Sequence, residues 1–200
     1  MKVDLSNRGL TSIPWAEIPE NVRVLHLENN QLTRLPPEIG RLTSLTYLNL
    51  TDNQLTSLPP EIGRLTSLMG LYLSDNHLTR LPPEIGRLTS LTYLNLINNQ
   101  LTRLPPEIGY LTSLKSLGLN RNQLIDLPPE IGRLNSLTHL VLTGNQLTSL
   151  PPEIGRLTRL MYLNLSNNPI RVLPDSVPSG DYYPGFTRLP KWNQKVNFIL

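Results

Sequence analysis

Residues 45–67 read LTYLNLTDNQLTSLPPEIGRLTS, and variants of this 23-residue sentence recur along the chain. A marker asparagine keeps strict register through every copy, at Asn30, Asn53, Asn76, Asn99, Asn122, Asn145 and Asn168. Within the unit, Leu48 and Leu50 alternate with Tyr47, Asn49 and Thr51, the period-two pattern of a short strand with one buried face. Pro59 and Pro60 then remove amide donors and fix φ, so sheet pairing stops there. An extended, polyproline-like segment followed by one short helical turn is expected over LPPEIGRL. Asn53 can turn its amide into the coil and serve backbone groups that a tight bend leaves unpaired, and repetition makes a ladder of such amides. One such coil has no second layer to cover its leucines. Stacked coils complete one another's burial and pair their strands into a parallel sheet, about 4.8 Å from strand to strand.

Working outward, seven units begin near Val22, Leu45, Leu68, Leu91, Leu114, Leu137 and Leu160, which sets a tandem array over residues 22–174 with the last unit partial. Residues 1–21 read as a degenerate first unit and N-terminal cap. Val3, Leu5, Leu10 and Ile13 take the apolar positions, Arg8 stands where the marker asparagine belongs, and the spacing is one residue short. Residues 175–200 change composition, and Tyr182, Tyr183, Phe186, Trp192 and Phe198 among prolines suit a C-terminal cap over the open end of the array. The whole forms one continuous domain. On the turns, Glu61 and Arg64 are three apart and expected to pair, as are Glu38 with Arg41, Glu84 with Arg87, Glu130 with Arg133 and Glu153 with Arg156.

Composition narrows the function. The 200 residues include no cysteine, which removes disulfide, thiolate-metal and catalytic-thiol chemistry and points to a reducing, cytoplasmic setting. The start, MKVDLSNRGL, lacks the apolar stretch of a signal peptide, and nowhere do roughly 18 apolar residues run together, so a soluble, intracellular chain with no membrane contact is expected. Eighteen basic against 15 acidic side chains leave a net charge of only +3, too little to call for a nucleic-acid partner.

The units LPPEIGxLTSLxxLxLxxNxLTxLP resemble the intracellular leucine-rich repeats of the Ras-group and Roco class, over roughly residues 3 to 178. The opening LTSIPWAEIPENVRVLHL also resembles the N-terminal flank of extracellular and bacterial-effector repeat proteins, without their cysteines. What the resemblance implies is an α/β-class, single-domain, right-handed leucine-rich-repeat solenoid bent into a horseshoe arc. Its parallel sheet would line the concave face, extended and 3-10 turns the convex face, and the concave sheet would engage a protein ligand. No GTPase, kinase or ubiquitin-ligase motif accompanies the repeats. Such families share a scaffold and differ in partners.

Variation falls on the outward strand positions. The first column reads Val24, Tyr47, Gly70, Tyr93, Ser116, His139 and Tyr162; the second His26, Asn49, Tyr72, Asn95, Gly118, Val141 and Asn164; the third Glu28, Thr51, Ser74, Ile97, Asn120, Thr143 and Ser166. Tyrosines on a rigid sheet offer large amphipathic contact area at small entropic cost, although aromatic and β-branched residues also simply suit strands. The candidate partner-binding set is Tyr47, Asn49, Tyr72, Tyr93, Asn95, Ile97, Ser116, Gly118, Asn120, His139, Val141, Tyr162 and Asn164. Ser116 and Gly118 make a low spot between Tyr93 and Asn95 on one side and His139 and Val141 on the other, where a protruding side chain or loop would dock.

Other chemistry is set aside. His26 and Glu28 share one strand face but lack a third metal ligand, and His77 replaces a glutamine of other units as a surface substitution. No GxGxxG, GxxxxGK[ST] or HExxH occurs. Asn49-Leu-Thr51 and Asn164-Leu-Ser166 match glycosylation acceptors as by-products of the repeat. Arg34, Arg80 and Arg103, with Arg171 near them, form an edge stripe that Ser57, Asp126 and Ser149 interrupt, which favours a solvated surface over a phosphate site. The expectation is a non-enzymatic, monomeric recognition module with no cofactor or metal, binding a protein through its concave face. The alternative is a targeting or inhibitory scaffold subunit of a GTPase- or phosphatase-related complex, held through the aromatic tail.

Overall fold

The computed structural model describes residues 1–171 and 173–175, together with the backbone of 197–199. Among the described residues the alternating triplets form nine strands, β1 (Lys2–Asp4), β2 (Val24–His26), β3 (Tyr47–Asn49), β4 (Gly70–Tyr72), β5 (Tyr93–Asn95), β6 (Ser116–Gly118), β7 (His139–Val141), β8 (Tyr162–Asn164) and β9 (Asn197–Ile199). They lie in sequence order in one parallel sheet, so the chain is a single-domain solenoid. From β2 to β8 every register step is 23 residues, as Val24 to Tyr47 shows, whereas Lys2 pairs with Val24 at 24 − 2 = 22. The residue missing from the first unit is therefore lost outside the strand. Strand β9 pairs with β8, Phe198 opposite Leu163, a strand that reading the tail as a cap did not foresee. Tyr182, Tyr183, Phe186 and Trp192 lie outside the described residues.

Each coil turns its leucines inward. Leu48, Leu50, Leu55, Leu58, Ile62, Leu65 and Leu68 are all buried, and their equivalents join them in one core that runs from Leu5 to Leu173. Opposite the sheet, Pro59 is extended and Pro60 opens a 3-10 turn, Pro60–Arg64, which closes when the Leu65 N–H donates to the Ile62 carbonyl. Three residues per turn set Ile62 and Leu65 on the same side, facing the core. Six such five-residue turns, from Pro37–Arg41 to Pro152–Arg156, repeat this arrangement, and there is no α-helix among the described residues.

The first five of these turns pack so closely on the next coil that the glycine in each is a space requirement. A Cβ on Gly86 would stand 2.6 Å from the Glu107 carbonyl oxygen and 3.1 Å from the Tyr110 ring of the next coil. A Cβ on Gly40 would likewise meet the Glu61 Cβ at 2.9 Å and the Arg64 Cδ at 3.0 Å. This explains why the expected ion pairs along each turn do not form: none of the five Glu–Arg pairs comes within 4.0 Å. The Arg64 stem instead lies against the preceding coil's glycine, covering apolar surface with its methylenes. Arg41 reaches back in the same direction, to Glu20 at 2.7 Å.

The asparagine ladder forms as expected. Asn99 is buried; its Oδ1 accepts from the Leu78 N–H at 2.9 Å, and its Nδ2 donates to the Leu73, Leu96 and Ile97 carbonyls at 2.9, 3.2 and 3.2 Å. In the first unit Arg8 points outward to Glu17, and the Asn30 Oδ1 takes both the Arg8 and the Leu10 N–H groups. Just before each marker the chain bends with positive φ, at Asn7, Asn29, Asp52, Asp75, Asn98, Arg121, Gly144 and Asn167. Asn, Asp and Gly tolerate that left-handed conformation, whereas Arg121 adopts it at a cost.

Candidate functional site

The site is the solvent-facing side of the sheet, built from the residues that flank each buried leucine. Pairing places Tyr47, Gly70, Tyr93, Ser116, His139 and Tyr162 in one row and Asn49, Tyr72, Asn95, Gly118, Val141 and Asn164 in the next, so the predicted columns are real neighbours. Ile97 and Asn120 follow two residues after Asn95 and Gly118, and both are half-buried. Tyr93 and His139 are the exposed members of the predicted set.

The rings make a stack that reading each column by itself does not reveal. His26 and Tyr47 lie 5.3 Å apart between centroids and are tilted by 41°, Tyr47 and Tyr72 lie 4.8 Å apart and are tilted by 39°, and Tyr72 and Tyr93 are stacked at 4.9 Å and 26°. Tyr72 belongs to the second row but leans into the first, because Gly70 leaves that position empty. A Cβ on Gly70 would sit 3.1 Å from the Tyr72 ring and 3.4 Å from that of Tyr47. Further along, His139 and Tyr162 form a second, looser pair at 6.1 Å. Burial raises the Tyr47 and Tyr72 phenols above their ordinary pKa, and the neighbouring phenols push in the same direction.

Between the two ring groups lies the predicted low spot, in modified form. Ile97 leans over Gly118, where a Cβ would be 3.3 Å from its Cγ1, so the Gly118 end is partly covered. Across Ser116 the described residues show no ring pair: Tyr93 pairs with Tyr72, and His139 with Tyr162. Asn49, Asn95 and Asn164 each fold their Oδ1 back onto the N–H two residues on, at 3.1, 3.0 and 3.1 Å. Asn49 and Asn95 thereby present their NH2 groups outward as donors. His139 is fixed by its neighbour: the Thr138 hydroxyl donates to the Lys115 carbonyl at 2.9 Å and so accepts from the His139 Nδ1 at 2.9 Å. That assigns the proton of the neutral ring to Nδ1.

Charge is scarce on this face. From β3 to β8 its three rows hold no Asp, Glu, Lys or Arg, and at the N-terminal end the His26 Nδ1 meets Glu28 at 3.0 Å, so these two engage each other. Among the described residues no three His, Asp, Glu or Cys side chains gather to hold a metal. His77 is exposed beside a polar groove along the asparagine turns, near Asp52 and Asp75. The basic stripe is broken where Arg103 turns to Asp126 at 3.8 Å. No helix among the described residues is long and apolar enough to cross a membrane. Sequence reading missed Met69, which is 51% exposed on the edge beside Gly70 and Tyr93. The signal was available, because other units carry Thr46, Thr92 or Thr138 there, each bonded through its hydroxyl to the preceding coil.

The arrangement is that of other known repeat proteins. A leucine-rich repeat protein of Leptospira interrogans has a solved structure similar to this one, 38% identical, with a TM-score of 0.67 over 88% of this chain and 57% of that one. The functional domain of InlJ from Listeria monocytogenes, which includes a cysteine ladder, matches at 25% identity and a TM-score of 0.75 over 88% of this chain and 36% of its own. A plant peptide hormone receptor, RGFR1, solved in complex with RGF2, matches at 32% identity and a TM-score of 0.67 over 80% of this chain and 31% of its own. The chain therefore spans less than two thirds of each. No curated protein matches it significantly. The family model for a leucine-rich repeat region matches residues 20–114 and 105–179. With its motif, its stacked coils and that match in agreement, the chain belongs to the leucine-rich repeat family.

Proposed function

We propose that this chain is a non-enzymatic recognition module, monomeric and intracellular, that binds a protein through the open, concave face of its sheet. The observation that carries the reading is the ring stack from His26 to Tyr93 on a face almost without charge. Aromatic enrichment with depletion of charged residues is the composition of an interface centre. Leucine-rich repeat proteins generally mediate protein–protein interaction, and the RGFR1 structure holds a bound peptide hormone, which fits this use of the scaffold. The LPPEIG turns further support the Ras-group and Roco class within the family.

The experiment is affinity capture from lysate, followed by purification of the captured protein and measurement of its affinity. Replacing Tyr93 and His139 with alanine should weaken binding at least about tenfold, as loss of central aromatic contacts does, while the chain still folds cooperatively and loses only the small stabilisation of its ring pairs. Equal affinity for both proteins would remove this face from consideration.

A further inference from the structure

The first row of the face is a ladder of rings with one rung missing. Its positions run Tyr47, Gly70, Tyr93, Ser116, His139 and Tyr162. Two of them carry no ring of their own. At Gly70 the chain solves the problem itself: Tyr72, two residues on, lies into the gap between Tyr47 and Tyr93, tilted against the first at 4.8 Å and stacked on the second at 4.9 Å. At Ser116 the residue two further on is Gly118, which has no side chain to offer. The triplet Gly70-Leu71-Tyr72 closes its gap, and the triplet Ser116-Leu117-Gly118 leaves it open.

We propose that the gap over Ser116 takes the aromatic side chain of a protein partner, a tyrosine, phenylalanine or tryptophan, seated between Tyr93 and His139 as Tyr72 sits between Tyr47 and Tyr93. This deepens the preceding proposal and rests on it. Tyr93 and His139 are two strands apart, like Tyr47 and Tyr93, so the opening is about 9.6 Å between strands, the span in which Tyr72 already fits. Tyr93 gives one ring face to Tyr72 and has no ring beyond it on the Ser116 side, and it is the most exposed tyrosine of the stack. His139 is held in place by Thr138. Ile97 over Gly118 supplies an apolar flank, and the Asn95 amide beside it offers a donor to the partner's backbone. The occupant that this sheet already seats between two rings two strands apart is the uncharged ring of Tyr72, and the gap over Ser116 repeats that setting.

The test uses the full chain, N-acetyltyrosinamide and N-acetylleucinamide as probes, and amide resonances as the readout. N-acetyltyrosinamide should move the Ser116 and Gly118 resonances by its ring current and saturate, whereas N-acetylleucinamide should leave them in place. In the double variant Ser116→Gly, Gly118→Tyr, which rewrites the triplet as Gly-Leu-Tyr, Ile97 has to yield a few tenths of an ångström to the new Cβ, and the chain should fill its own gap and lose the response to the probe. Should that variant fail to fold, Ser116→Leu serves as a second way to block the opening. Shifts as large with the leucine probe, shifts that persist when the gap is filled, or no shift at all would overturn the proposal. Capture of a protein partner that depends on Tyr93 yet survives the filled gap would overturn the ring insertion while leaving face binding intact; capture indifferent to both would overturn the face as well.

Discussion

Removing the Asn99 side chain tests how the ladder of buried amides holds the coils. Asn99 makes four hydrogen bonds, but they are not equally replaceable. The Leu73 carbonyl also accepts from Asn76, the Leu96 carbonyl from Asn122, and the Ile97 carbonyl from the Asp75 N–H, so each keeps one donor after Asn99→Ala. The Leu78 N–H keeps none, since Asn99 is its acceptor. One orphaned buried donor costs about 1–3 kcal/mol, and weakened pairing at the three carbonyls adds about 1 kcal/mol. The expected loss is about 2–4 kcal/mol, read by urea titration, or a fall in Tm of roughly 4–16 °C for a chain of this size. Asn99→Asp sharpens the test. A protonated carboxyl retains the acceptor for Leu78 and one donor for the carbonyls, whereas a carboxylate brings charge against Leu73 and Leu96 oxygens. Its folded pKa is therefore raised, the native state holds the proton longer than the unfolded chain, and stability should be greatest in acid and fall as pH rises from about 4. A loss under about 1 kcal/mol for Asn99→Ala, or an Asn99→Asp variant indifferent to pH, would refute the reasoning.

Gly86→Ala should destabilise by about 1–3 kcal/mol, because the new methyl meets the Glu107 carbonyl and separates two coils; chemical denaturation checks it. Arg121→Gly should instead stabilise by about 1 kcal/mol by relieving the left-handed backbone at φ 56°, measured the same way. In ultraviolet titration Tyr47 and Tyr72 should ionise above the ordinary phenol range, and replacing either with phenylalanine should remove part of that late phase. The Ser6 hydroxyl and N–H hold the Asp4 carboxyl down at about 2, so its contribution to stability is present above its ordinary value and lost as pH falls through about 2. Ser6→Ala should return the Asp4 carboxyl signal in an NMR titration toward ordinary carboxylate behaviour.

The leucine positions, the prolines and the marker asparagines were legible because each obeys a local rule: alternation for the strand, a missing donor for the turn, an amide for the bend. They fix the coil and its register. Less legible was anything that depends on which way a side chain leans between coils. Glu61 and Arg64 are suitably spaced to pair, yet the adjacent glycine of the preceding coil draws the arginine stem away. His26 was set aside as a metal ligand for want of a third partner, and the packed sheet makes it the first ring of a row. Tyr72 and Gly70 stood in separate columns, and only the packed sheet shows one filling the space left by the other. Ile97 over Gly118 is the same kind of lateral fact.

The asparagine bonds also have a direction. The Asn53 Oδ1 accepts from Leu32 and its Nδ2 donates to Leu27, both in the coil before it, and Asn76, Asn99, Asn122 and Asn145 repeat that backward reach. A coil is thus finished by its successor. Deleting units from the N-terminal end leaves every remaining bend with the amide that completes it, whereas deleting them from the C-terminal end strips the newly terminal bend of its partner. During synthesis the same polarity makes each turn wait for the next to leave the ribosome, so maturation of the array advances one unit behind the growing chain.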